Sequence, residues 1–197
     1  MEHLARLDAT FAGVVRKHGP PPLWAREPGF STLVQIILEQ QVSLASAKAA
    51  YAKLCQIANP LTPEKFLKLD DRRLKEAGFS RQKMIYCREL SKAVLEGRLQ
   101  LDILDRLNDD AVRKELVKHK GIGPWSADIY LLEALLRPDI WPVGDLALAS
   151  SVKELMGFSK RPDEAELSEI GHPWKPWRAV AARILWHSYL SERGITM

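Results

Sequence analysis

Leu116-Val117-Lys118-His119-Lys120-Gly121-Ile122-Gly123-Pro124-Trp125-Ser126-Ala127-Asp128 is the stretch on which the fold turns. A helical pattern opening at Asn108 or Asp109 runs to about Lys118, a Gly-Ile-Gly turn follows, and Pro124 starts a second helix at once. The two glycines admit positive φ and leave backbone N–H groups unscreened by Cβ atoms. Donors at a helix N-terminus make such a turn a ready site for an anion, and Lys118 and Lys120 add positive charge beside it. An ordinary turn between antiparallel helices shares this outline, so the flanking chain has to decide.

Outward from the turn the hydrophobic period stays helical. Ser31 can cap a helix with Leu33, Val34, Ile37 and Leu38 on one side; Gln40-Gln41-Val42-Ser43 interrupts it, and Ser43 can cap the next. Thr62-Pro63-Glu64, Asp70 or Asp71, and Ser80 open three more, with Gly78 and Gly97 as stops. Asp145, Asp163 and Pro176 open the last three. No run alternates as a strand between hairpin turns. The pattern predicts an all-α fold of about ten short helices with short connections.

At 197 residues, the chain suits one compact module or two small interdigitated subdomains. Its 46% apolar and 27% charged residues are those of a folded protein, and no apolar run is long enough to span a bilayer. Met1 to Arg6 lacks the order of a signal peptide, so the two cysteines, Cys55 and Cys87, are expected as free thiols in a reducing compartment. Two cysteines cannot hold a four-cysteine iron–sulfur cluster, and the histidines lack zinc-ligand spacing. Net charge is +4, yet Arg72 to Arg98 carries eight basic residues against three acids, which reads as a solvated helix face or a polyanion contact. Asp128 and Glu133 read as surface positions on the second hairpin helix.

Trp141-Pro142-Val143-Gly144-Asp145-Leu146-Ala147-Leu148 places a single carboxylate at the start of an apolar helix, twenty residues beyond Trp125. By itself Asp145 is a helix cap. Together with the hairpin, and with Trp174-Lys175-Pro176-Trp177-Arg178 followed by Trp186, it completes a pattern from about Gly29 to Leu190. That pattern resembles the helix–hairpin–helix DNA glycosylase superfamily, nearest to the DNA-3-methyladenine glycosylase II type. The organisation expected is a single module, 1–197, with a central subdomain at 30–130 carrying the hairpin at 111–135, and a second built from 1–29 plus 136–197.

The resemblance implies a role for each matching residue. Asp145 would be the catalytic carboxylate. Trp125 stands where bifunctional relatives carry the lysine that forms a Schiff base, and tryptophan cannot be that nucleophile, so a monofunctional enzyme is implied. Trp125 and Trp186 match aromatic substrate-binding positions, a third falls on Ile129, and the wedge that fills the gap left by a flipped base falls on Gln41. Lys118, Lys120, Gly121, Ile122, Gly123 and Pro124 would grip DNA phosphates. The carbonyls of Val117, His119 and Ile122 would hold a structural monovalent cation, sodium or potassium, and catalysis would require no cofactor. The implied partner is double-stranded DNA with alkylated bases, not a membrane; the implied protein is a monomer of the cytoplasm, or of the nucleus in a eukaryote. A related glycosylase for deaminated or oxidised bases, and a DNA-binding module without catalysis, are the alternatives.

Overall fold

Side-chain caps set most of the helix starts. Ser43, Thr62, Asp70, Ser80, Asn108, Asp145 and Asp163 each precede a helix and accept a backbone N–H from its first turn. Each such bond satisfies an otherwise orphaned donor and contributes about 1 kcal/mol. A computed structural model describes residues 1–195. Among them the helices are α1 (Glu2–Leu7), α2 (Ala9–His18), α3 (Phe30–Glu39), α4 (Leu44–Ile57), α5 (Pro63–Leu67) and α6 (Asp71–Glu76). They continue with α7 (Arg81–Leu95), α8 (Asp109–Leu116), α9 (Pro124–Ile129), α10 (Leu146–Met156), α11 (Glu164–Gly171) and α12 (Arg178–Glu192). Short 3-10 turns lie at Leu101–Arg106 and His172–Trp174, and α9 runs on as a π-helical turn over Tyr130–Ala134. The fold is all-α, and among the described residues no helix is long and apolar enough to cross a membrane.

Two starts differ from the sequence reading. Gly29, not Ser31, caps α3, and the Ser31 hydroxyl instead pairs with the Tyr51 hydroxyl at 2.6 Å. The last helix begins at Arg178 behind a cap at Trp177, two residues later than Pro176 suggests.

The chain divides into two compact units, Arg26–Leu135 and Met1–Ala25 together with the chain from Leu136 onward. In the first unit α3 is the central helix, packed by α4, α7, α9 and the π turn. Seven of its ten residues are buried, so it is apolar around most of its circumference rather than along one stripe. Phe30, Phe66 and Phe79 stack in a chain with ring centroids 6.3 and 5.7 Å apart. The Gly29 N–H donates to the buried Tyr130 hydroxyl at 2.9 Å, which gives that phenol its partner.

Asp128 and Glu133 are not surface positions: they are only 8% and 3% exposed. Each carboxylate is buried because an arginine reaches it from elsewhere in the chain. Arg113 on α8 meets Asp128 at 2.6 Å and so ties the two hairpin helices together. Arg26 meets Glu133 at 2.6 Å, donates its backbone N–H to the Glu133 carbonyl at 2.9 Å, and pairs with Glu39 at 3.1 Å. Removing one member of such a pair strands a charge in the interior, at about 3–5 kcal/mol.

In the second unit α12 packs against both α10 and α2. Ala179, Ala181 and Ala182 are fully buried, small enough for close helix approach, and the Ser151 hydroxyl of α10 donates to the Leu185 carbonyl of α12 at 2.7 Å. Trp141 and Trp174 meet edge to face, and the Trp141 indole N–H donates to the Leu167 carbonyl at 2.8 Å. These two tryptophans belong to the core.

Candidate active site and hairpin

The hairpin lies in the first unit. Helix α8 ends at Leu116, the His119 N–H donates to the Leu116 carbonyl at 3.1 Å, and the Ile122 N–H donates to the His119 carbonyl at 3.0 Å. Gly121 sits at φ +92°, and a Cβ there would lie 2.4 Å from the Tyr86 ring of α7. Both the backbone conformation and the neighbour therefore demand glycine. Gly123 is different. It is the N-cap of α9 with no side chain to bond the first-turn N–H groups, and a Cβ built on it meets nothing within 4 Å. The backbone at Gly123 is open to an approaching group. Lys118 and Lys120 are exposed beside the turn, Lys118 pairing with Glu115. Burial pushes the His119 imidazole below its ordinary value, against the opposing pull of Glu115.

Trp125 and Ile129 stand one turn apart on α9, at a spacing that puts them on one face. Trp125 is half-buried and Ile129 buried. Gln41 is exposed, with φ at +56°, in the loop between α3 and α4. A non-glycine residue in the left-handed region costs about 1–3 kcal/mol and persists only where its surroundings hold it. They do so here. Lys83 of α7 donates to the carbonyls of Leu38 and Gln40 at 2.7 and 2.9 Å, a cation closing the C-terminal end of α3. The Gln40 side-chain amide donates to the Gly121 carbonyl at 2.8 Å and to the Ser126 hydroxyl at 2.9 Å. Burial lowers the Lys83 ammonium from its ordinary value. Gln40, Lys83 and Tyr86 escaped the sequence reading; the one signal was that Lys83 lies within the basic run.

Asp145 and Trp186 lie in the second unit and are brought together there. Oδ1 of Asp145 accepts the Leu148 backbone N–H at 2.7 Å and the Trp186 indole N–H at 3.0 Å. The start of α10 supplies the first donor and the buried face of α12 the second. Two donors on one oxygen fix the plane and direction of the carboxylate, and a helix N-terminus is a favourable place for an anion. Leu146, the residue after Asp145, is 69% exposed. Among the described residues no three His, Cys, Asp or Glu side chains gather as a metal site.

An anion at a helix start, preceded by a glycine hairpin with its helix beginning at proline, defines a class. The HhH-GPD superfamily of base excision DNA repair proteins matches residues 34–176, and this chain belongs to it. Among curated proteins it is 27% identical over 192 residues to the alkylbase DNA glycosidase-like protein mag2 of Schizosaccharomyces pombe, spanning 94% of this chain and 90% of that one. Among solved structures it is similar to the Schizosaccharomyces pombe 3-methyladenine DNA glycosylase Mag1 in complex with abasic DNA. That likeness has a TM-score of 0.88 at 26% identity over 93% of each chain. A DNA-3-methyladenine glycosidase from Bacillus halodurans aligns with a TM-score of 0.76 at 29% identity, over 96% of this chain and 88% of that one.

Proposed function

We propose that this protein is a monofunctional DNA glycosylase that extrudes alkylated purines, such as 3-methyladenine and 7-methylguanine, from duplex DNA and hydrolyses their N-glycosidic bond. The observation that carries the reading is Asp145, held by two N–H donors on one oxygen at the start of α10. A base inside a duplex is unreachable, and extruding it costs a few kcal/mol. Phosphates bound at the open backbone of Gly123, where α9 begins, with Lys118 and Lys120, offset part of that, and Gln41 is the side chain to fill the vacated space. The same turn would hold a sodium or potassium ion. The carbonyls of Val117, His119 and Ile122 are hard oxygen donors of the right kind, and the His119 carbonyl keeps a second lone pair beyond the one used by Ile122. Such an ion would add positive charge beside the phosphates.

A purine alkylated at N3 or N7 is cationic, and an indole face attracts a cation by about 0.5–2 kcal/mol. Trp186, bonded to Asp145 within the same unit, is the residue beside the carboxylate to meet it. The C1′–N bond breaks with its electron pair passing to the base, which leaves neutral, so little acid catalysis is needed. Positive charge develops on the sugar, and the Asp145 carboxylate stabilises it while water adds its oxygen to C1′ and releases a proton. With tryptophan at position 125 no amine is offered there to trap the sugar.

The test is to incubate the protein with methylated duplex, identify the freed bases by chromatography, and treat a parallel sample with borohydride. Freed methylpurines, unbroken strands and no trapped protein–DNA adduct are expected. Absence of any freed base would leave the DNA-binding module as the reading, and a trapped adduct would contradict monofunctional chemistry.

A further inference from the structure

We propose that Gln40 is a positioning residue that locks the loop carrying Gln41 to the hairpin turn, so that the wedge and the strand clamp move as a single piece. The inference rests on the roles proposed above for those two segments, and concerns a residue given none.

Three elements of one unit meet at Gln40. Its backbone ends α3, and its carbonyl and that of Leu38 are closed by Lys83 from α7. One turn further along α7, Tyr86 lies against Gly121, so the same helix face supports the α3 end and the hairpin. The Gln40 amide then spans the two, donating to the Gly121 carbonyl and the Ser126 hydroxyl, on either side of the turn that would hold phosphate. An amide nitrogen has two hydrogens, and both are used. The very next residue is Gln41, exposed and left-handed. The polar chain thus reaches the base of the wedge from one side and the clamp from the other, across eighty-one positions of sequence.

A wedge helps extrusion only if it stands at a fixed distance from the strand it enters. A loop free to move loses conformational entropy each time it is inserted, which subtracts from the energy available for unstacking. Holding the loop in advance removes that loss. Cutting the Gln40 bonds should therefore harm extrusion while leaving the chemistry at the carboxylate in place.

The experiment compares wild type with Gln40→Met, of similar shape and no donors, and with Gln40→Glu, whose charge repels the Gly121 carbonyl. Single-turnover base release is measured on 7-methylguanine opposite cytosine, and opposite an abasic-site analogue where extrusion is cheap. About a tenfold loss opposite cytosine, shrinking to about twofold opposite the gap, is expected. Equal losses on both duplexes, or none, would overturn the lock. Amide hydrogen exchange supplies a readout that needs no activity. The Gln40 and Ile122 amide hydrogens, bonded to the Ile37 and His119 carbonyls, should lose protection together in either variant, and loosening of one alone, or of neither, overturns the proposal. Should wild type free no base at all, the functional reading falls while the exchange measurement still decides the coupling.

Discussion

The hairpin and the carboxylate solve opposite problems with opposite materials. At the hairpin the useful surface is the backbone at Gly123, and the sequence works by leaving side chains out, at Gly121 to admit Tyr86 and at Gly123 to leave the start of α9 open. At Asp145 the useful group is one side chain, and the sequence works by fixing it with N–H donors from α10 and α12. Adding a methyl group should thus disturb the first region, and removing a charge the second.

The comparison breaks most sharply at Asp145. Asp145→Asn keeps an acceptor for the Leu148 N–H and removes the negative charge, so base release should fall by at least about 10²–10³ in a single-turnover assay. Gly121→Ala comes next. Its methyl group would enter the Tyr86 ring from a left-handed backbone, and thermal unfolding should show a loss of about 2 kcal/mol or more. Gly123→Ala sharpens the contrast, since nothing lies within 4 Å of the new Cβ: stability should hold, and duplex affinity should drop.

Smaller effects follow. Trp186→Phe retains a ring but loses the N–H on Asp145, and release should slow about tenfold. Smallest is the Asp139–Arg178 pair in the second unit, joined through both carboxylate oxygens at 2.8 Å. Burial alone would raise the Asp139 carboxyl, and the hydrogen bonds and charge of Arg178 outweigh it, holding the group below its usual value. A depressed carboxyl stabilises the fold above its unfolded value and ceases to do so as pH falls through its folded one. The stability gap between wild type and Arg178→Met should therefore narrow below about pH 4, as denaturant titrations at several pH values would register.

Local chemistry was legible and distant partnership was not. Ser43, Thr62, Ser80 and Asp163 announced their helices because a cap and its donor lie within three residues. The hairpin and Asp145 were legible for the same reason, each being written in a few consecutive positions. Asp128 and Glu133 were misread because the arginines that bury them lie fifteen and more than a hundred positions away, and a charge seen alone looks solvated. Gln40 was hidden likewise, its partners lying across the unit at Gly121 and Ser126. The contact of Trp186 with Asp145 spans forty-one positions, so the sequence showed two candidates but not the bond between them.

The most direct test crosses the two regions on one duplex carrying 7-methylguanine. Asp145→Asn and the double variant Lys118→Ala/Lys120→Ala are each assayed for duplex affinity across a salt series and for base release at saturating protein. Asp145→Asn should bind as wild type does and free base at least about 10²–10³-fold more slowly; the lysine variant should bind more weakly, with a salt slope lower by about 2, and free base at nearly the wild-type rate once bound. Release from Asp145→Asn at the wild-type rate would contradict the account, whatever the lysine variant does.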